Sequence, residues 1–316
     1  MPAAPSFADP DIDDVRAQVD KLEHEAEAAT ERHHDAKLKL DELTADLKAL
    51  KADEAAQQAT VDELSESVSD SIAAQYEGRT LSNAGRLVLS ADPEQFLDDL
   101  TTLSAYNDVQ AQRLESYNRE VTALEIRREA TQKRADELAS TEKTLAANKA
   151  EAKEKLAKAE QLLSRLSAAE RATLAAPAGG NSTSNSASRS TERVEMNVEV
   201  SGRAADAVNY ALAQVGKGYR HAGVGPSSFD CSGLTMKAWA QAGVSLPHSS
   251  RAQMGSGTRV SIDALQPGDL VFYYSPVSHV GIYIGNGKIV HAANPRTGVA
   301  VAGVRSMPYS GAVRPG

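Results

Sequence analysis

From Asp11 to Tyr76 the chain contains neither proline nor glycine, and its apolar positions return at alternating spacings of four and three. The series runs through Val15, Val19, Leu22, Ala26, Ala29, His33, Ala36, Leu40, Leu43, Leu47, Leu50, Glu54, Gln57, Val61, Leu64 and Val68. That spacing keeps one seam of a helix turned toward a partner helix. At about 1.5 Å per residue, such a helix is on the order of 100 Å long. The seam is thin at Ala26, Ala29, His33 and Ala36 and polar at Glu54 and Gln57, so imperfect packing is expected there.

A second seam passes through Leu114, Tyr117, Val121, Leu124, Arg128, Thr131, Ala135, Leu138, Glu142, Leu145, Lys149, Ala152, Leu156, Ala159, Leu163 and Leu166. Between the two, about 78–106, lie Gly78, Gly85, the Asp92–Pro93 break and the apolar residues Leu87, Val88, Leu89, Phe96, Leu97, Leu100 and Leu103. Pro93 suits the first turn of a helix, where its missing N–H is not needed. The economical fold is an antiparallel α-helical coiled-coil hairpin, with short helices filling its tip. The tip either buries the hairpin end or offers a docking surface to a partner.

Composition agrees: hydrophobic residues make up 41% but aromatics only 4%, which suits long Ala/Leu/Glu/Lys helices better than one large core. The net charge of −9 is uneven, because Ser201–Gly316 holds ten Lys+Arg against four Asp+Glu and leaves −15 for the rest. No run of basic residues sits among aromatics as a nucleic-acid binder requires. The basic part instead suits an anionic polymer or the acidic part of its own chain. With one cysteine there is neither an intramolecular disulfide nor a cysteine-based metal site. No stretch of about 18 apolar residues is present to span a membrane. The start, Met1-Pro-Ala-Ala-Pro-Ser-Phe, lacks the basic and apolar regions of a signal peptide. A cytosolic protein, or one whose leader has been removed, begins this way.

Ala175 to Arg193 is rich in Ala, Gly, Ser and Asn, a linker composition. The expected organisation is therefore a helical domain over 1–174, a linker over 175–199 and a compact domain over 200–316.

The sole cysteine lies in Ser228-Phe-Asp-Cys231-Ser-Gly-Leu234, ahead of an amphipathic stretch ending at Gly243. Asp230 or Ser232 can cap a helix, which places Cys231 at a helix N-terminus. There the dipole and free N–H groups favour a thiolate and can hold an oxyanion. The plain alternative is an inert buried thiol. A base is supplied downstream, where Pro276 to Ala292 reads as a β-hairpin around Gly285-Asn286-Gly287. A three-residue loop pairs Ile284 with Lys288 and Gly281 with His291, and puts His279 and His291 on one face. A two-residue loop puts them on opposite faces. The three-residue loop, with Gly287 left-handed, is expected. His279 is then the base and His291 the group that orients it. Leu265-Gln-Pro-Gly-Asp-Leu-Val-Phe-Tyr-Tyr274 reads as a turn and a core strand of a small barrel-like sheet, without chemistry of its own.

Taken together, Phe229-Asp-Cys-Ser-Gly-Leu, Leu265-Gln-Pro-Gly-Asp-Leu-Val-Phe-Tyr and His279-Val-Gly-Ile-Tyr-Ile-Gly resemble the NlpC family of papain-like peptidoglycan peptidases, over about Ala204 to Arg314. The resemblance implies a papain-like α+β domain and a thiol peptidase without cofactor, with Cys231 as nucleophile, His279 as base and His291 as third polar residue. It further implies that Tyr219 lies near the oxyanion site, and that Asp230 and Ser232 hold the free amino end of the substrate. The bond implied is γ-D-glutamyl to diamino acid in a peptidoglycan stem peptide, which makes the protein secreted and wall-associated. Where the family usually carries Pro-Tyr-x-Trp-Gly-Gly, this chain has Gly218-Tyr-Arg-His-Ala-Gly223, which bears on substrate preference.

The N-terminal half is similar to the coiled-coil regulatory regions of division-associated wall hydrolases of the actinobacterial Rip type, through Leu87-Val-Leu-Ser-Ala-Asp-Pro-Glu-Gln-Phe-Leu-Asp-Asp-Leu. That similarity implies engagement by a membrane complex of FtsE and FtsX. Two other functions fit the chain, an adaptor recruiting other hydrolases and a thiol acyltransferase or amidase on the same fold. The opposite charges of the two parts suggest that the helical part docks on the catalytic part and holds it off. His24, His33 and His34 are expected as solvated or seam residues, not metal ligands.

Overall fold

The computed structural model describes residues 12–76, 93–166 and 202–316. Two long helices, α1 (Ile12–Tyr76) and α2 (Pro93–Ser164), precede an α+β domain. The described residues fall into two compact units, one formed by the parts of α1 up to Lys39 and α2 from Glu142 together with the C-terminal domain, the other by Leu40–Thr141.

In the first unit the helices run antiparallel. Lys155 pairs with Glu25 at 2.6 Å, Arg32 with Glu151 at 2.7 Å, and His33 Nδ1 lies 3.2 Å from the Leu145 carbonyl. Val15, Val19, Ala159 and Leu166 form a small apolar cluster between them. In the second unit Leu43, Val61 and Leu124 are buried. The polar seam positions are satisfied across the interface. Gln57 donates to the Glu120 carbonyl and carboxylate, and Glu54 pairs with Arg128. Leu114, expected on the seam, is 51% exposed. Pro93 does begin a helix, but 93–106 are the first turns of α2 rather than separate short helices, since no breaker follows Pro93. The rest of the expected tip, 78–92, and the linker 175–199 lie outside the described residues.

The C-terminal domain opens with α3 (Arg203–Ala213), followed by β1 (Gly218–Tyr219), β2 (Ser228–Phe229), α4 (Cys231–Gln241) and the short α5 (Ser250–Gln253). Six strands follow: β3 (Thr258–Val260), β4 (Leu270–Tyr273), β5 (His279–Gly285), β6 (Lys288–Asn294), β7 (Gly298–Gly303) and β8 (Tyr309–Arg314). They form one antiparallel sheet in the order β3-β8-β4-β5-β6-β7. The sheet is open, with β3 and β7 as edges, and is not the expected small barrel.

Alternation along β4 shows how the layers are built. Leu270 and Phe272 point into a core shared with Val208, Ala211, Leu234 and Trp239 of α3 and α4, whereas Val271 and Tyr273 enter a second cluster with Ile289 and Ala312 on the other face. Asp269, just before β4, is buried and forms a bidentate pair with Arg314 at 2.8 Å, tying β4 to the end of β8.

The approach of α4 to the preceding segment is close. A Cβ added at Gly233 would stand 2.2 Å from the Gly223 carbonyl oxygen and 2.8 Å from Asp230 Oδ1. Gly233→Ala is therefore expected to cost about 1–3 kcal/mol in thermal unfolding. An unchanged midpoint would show that this packing yields at no cost.

Candidate active site

Asp230 is the N-cap of α4, its Oδ1 accepting from the Gly233 N–H at 2.6 Å. This settles which residue caps the helix and leaves Cys231 in its first turn, as expected. Helix α4 ends at Gln241, with Gly243 in the left-handed region at φ 73°. The parallel pairing of Tyr219 with Phe229 brings Tyr219 beside the start of α4.

The two histidines arrive from the β5–β6 hairpin. Ile282 faces Val290 and Tyr283 faces Ile289, the register expected further along the strands. The turn differs: Gly285 pairs with Lys288, so the loop is the two residues Asn286 and Gly287, both at positive φ (52° and 67°). A shift between Tyr283 and Gly285 absorbs one residue of β5 and restores the register. The bulge is why a two-residue loop still leaves both histidines on one face. His279 Nε2 lies 2.7 Å from His291 Nδ1, with the rings at 90°. A ring nitrogen of His279 and Cys231 Sγ lie within 4.8 Å of one another.

The sequence reading missed the polar groups that surround these residues. His248 Nε2 lies 2.9 Å from both Asp230 oxygens, and Gln253 binds Thr235 and the Ser232 and Pro247 carbonyls. His248 follows Leu246-Pro247 in a loop, and no periodicity marks it.

More unexpected is a row of α1 residues off the seam. Glu27 Oε1 lies 2.7 Å from His279 Nδ1. Glu31 accepts from Ser232 Oγ at 2.7 Å and from the Ser250 N–H, and Cys231 Sγ lies 3.6 Å from the same carboxylate. His34 Nε2 is 3.2 Å from Asp230 Oδ2, and Thr30 Oγ1 is 2.9 Å from His221 Nδ1. Glu23, Glu27, Glu31 and His34 are all buried. The expectation for His34 is thus corrected: it is neither solvated nor on the seam. It sits one face round from the seam and pairs with a buried carboxylate.

Burial dominates the protonation of this cluster. It pushes Glu27 up to about 8 and raises Glu31, whose nearness to Asp230 adds to the effect. It pushes His279 down to about 4 and His291 to about 3, the latter helped by His279. Burial would raise Asp230 too, but hydrogen bonds and charge from His248 and His34 hold it at about 2. For His34 burial works the other way, and the Asp230 partner overcomes it to raise the imidazole. The Cys231 thiol is held well above its ordinary range by burial, then by Glu31, Glu27 and Asp230. The dipole at the head of α4 does not produce a thiolate against that burial and those neighbours. Tyr219 is likewise raised by burial and then by Glu27.

Among the described residues, two groups have ligand atoms close enough for a metal, Glu27–Cys231–His279 and His34–Asp230–His248. In the second, the imidazoles stack at 3.9 Å and 27°, so their in-plane lone pairs run side by side instead of converging. The first comprises the expected nucleophile and base themselves.

The description of one family fits residues 216–313, the NlpC/P60 family. The C-terminal domain is an NlpC/P60 domain. A probable endopeptidase of Corynebacterium glutamicum is 44% identical over 107 residues, which are 34% of this chain and 51% of that protein. A probable endopeptidase of Mycobacterium tuberculosis is 52% identical over 86 residues, 27% of this chain and 22% of that protein. The chain thus spans about half or less of the length of these curated relatives. Among solved structures, the NlpC/p60 domain of peptidoglycan hydrolase SagA is similar at 34% identity and a TM-score of 0.33, covering 35% of this chain and 97% of that one. No described helix is long and apolar enough to cross a membrane.

If the α1 carboxylates govern the thiol of the NlpC/P60 domain, Glu27→Ala with Glu31→Ala should raise the rate of Cys231 alkylation by iodoacetamide about tenfold or more. The single cysteine makes the adduct unambiguous by mass. An unchanged rate would show that the carboxylates do not control it.

Proposed function

We propose that the chain is a cell-wall hydrolase, a cysteine endopeptidase acting on peptidoglycan stem peptides outside the cell. The observation that carries this reading is the convergence of Cys231, His279 and His291 at the head of α4 within an NlpC/P60 domain. His279 takes the Cys231 proton, and the thiolate attacks the scissile carbonyl. Backbone N–H groups at the α4 N-terminus stabilise the oxyanion. His279 then protonates the leaving amine, and water releases the acyl group from sulfur. His291 holds His279 in the required tautomer. The bond we assign is γ-D-glutamyl to diamino acid, with Asp230 and Ser232 as binders of the free amino end and Tyr219 beside the oxyanion.

The same reading makes α1 an autoinhibitory segment. Its Glu31 carboxylate occupies the contact with Cys231 and Ser232 that a substrate needs, and Glu27 engages the base. Release then requires a partner that holds the far end of the helices, where Leu97 and Leu100 are exposed, and the membrane complex of FtsE and FtsX is our candidate. Such control suits cell division.

Purified peptidoglycan digested with the full chain carrying Glu27→Ala and Glu31→Ala, with and without Cys231→Ala, tests the assignment. Stem-peptide fragments are expected only when Cys231 is intact, and their masses identify the bond. Fragments from neither protein would move the function to an adaptor.

A pH dependence follows with a definite sign. In the covered state Glu27 keeps its proton to about 8, against 4.5 when free, and His279 stays neutral to about 4, against 6.5 when free. From 4.5 to 6.5 the two effects oppose one another. From about 6.5 to 8 Glu27 still binds an extra proton in the covered state, and the raised Glu31 and His34 act in the same sense, so that state weakens as pH rises. Hydrolysis by the full chain should therefore rise over this window, with Glu27 contributing up to about tenfold per unit. In Glu27→Gln the rise should become shallower by the share of one proton, and an identical profile would exclude Glu27 as a source.

A further inference from the structure

Arg296 sits in the connection between β6 and β7, outside the group that performs the proposed chemistry. The loop is held by Asn294, whose Oδ1 accepts from the Arg296 and Thr297 N–H groups at 3.0 and 2.9 Å. Only 15% of the Arg296 side chain is exposed. Its Nε lies 3.1 and 3.2 Å from the two oxygens of Glu23, its Nη2 lies 2.9 Å from Glu23 Oε2, and Nη2 also donates to Asp20. This is the fork geometry that arginine offers a carboxylate and lysine does not. Arg296 lines a cavity of about 580 Å³ together with Tyr219, Tyr274, His279 and His291.

The order of contacts along α1 locates this cation in the cleft. His34 meets Asp230, Glu31 meets Cys231, Glu27 meets His279, and Glu23 meets Arg296. Arg296 and Asp230 therefore lie on opposite sides of the thiol. Eight helical residues separate Glu23 from Glu31, about 12 Å along the axis. An extended peptide covers that distance in three to four residues. Once α1 leaves, the guanidinium remains at the end of the cleft without Glu23 and Asp20 on it.

We propose that Arg296 is a carboxylate-binding residue of the substrate cleft, selecting peptides whose leaving fragment ends in a free carboxylate about three residues beyond the scissile bond. Glu23 and Asp20 fill this site in the covered state. The proposal rests on the endopeptidase reading above and adds to it the chemistry of the leaving side.

The test uses the full chain with Cys231→Ala to prevent turnover and Glu23→Gln, Glu27→Gln and Glu31→Gln to free the cleft. Two stem-type pentapeptides with a free amino end and a γ-D-glutamyl to diamino acid bond are titrated by calorimetry. One ends in a carboxylate and the other in a carboxamide. The carboxylate form should bind about tenfold more tightly. Arg296→Gln should abolish the preference and Arg296→Lys restore part of it. Equal affinities, including binding of neither peptide, or a preference that survives Arg296→Gln, would overturn the proposal. Wall digestion by the same chain with Cys231 restored reports separately on the endopeptidase reading, so the two failures are told apart.

Discussion

One buried carboxylate organises the site. Asp230 caps the helix that carries Cys231, and the same group pairs with His248 of the following loop and with His34 of α1. An ionised carboxylate out of water is tolerable only with such partners. They are supplied here from the backbone, from the C-terminal domain and from the N-terminal helix. The consequence is a fixed position for the first turn of α4, and with it for the thiol. Exchanging Asp230 for an apolar residue would leave the Gly233 N–H and two imidazoles without their acceptor.

Around that anchor the electrostatics run against an active thiolate. A cysteine peptidase needs its sulfur anionic and its imidazole cationic, yet burial drives both toward their neutral forms, and two carboxylates beside the thiol strengthen the effect. On the reading proposed for α1, inhibition has two sources in one contact. The helix blocks the approach to sulfur, and it also supplies the dry, acidic surroundings in which sulfur keeps its proton. Removing the helix reverses both, because readmitted water and lost carboxylates lower the thiol.

Much of this was legible in the sequence, for physical reasons. A seam repeating every three and four residues with no breaker has one stable solution, and Val15, Val19, Ala26, Ala29, Ala36, Leu43 and Val61 are buried along it. The cap before Cys231 and the alternation around Gly285-Asn286-Gly287 carry local rules, so helix and hairpin could be read, whereas the shared histidine face was expected from a loop length that the structure replaces with a bulge. The loop length could not, since a bulge costs one residue and leaves no signature in composition. The row from Asp20 to His34 was illegible for a different reason. Charged residues off a seam look like a solvated face, and only the fold of a domain some 200 residues later reveals that Glu31 meets Cys231. His248 falls in the same class, a loop residue whose role is set by a partner distant in space and not in pattern.

The face that α1 turns toward the NlpC/P60 domain contacts it through Asp20, Glu23, Glu27, Thr30, Glu31, His34 and Asp35. Most of its partners are likewise polar, serines, imidazoles, Arg296 and a backbone N–H, beside the Cys231 thiol and the Tyr274 ring against His24. Parting these surfaces exposes groups that water solvates well and little greasy area. The opening step should therefore have a small heat-capacity change and leave neither surface prone to self-association. A mechanical pull on the helices would work against hydrogen bonds and ion pairs, a short-range and reversible resistance that hydration of the freed groups offsets, and the two surfaces could separate and rejoin many times without aggregating.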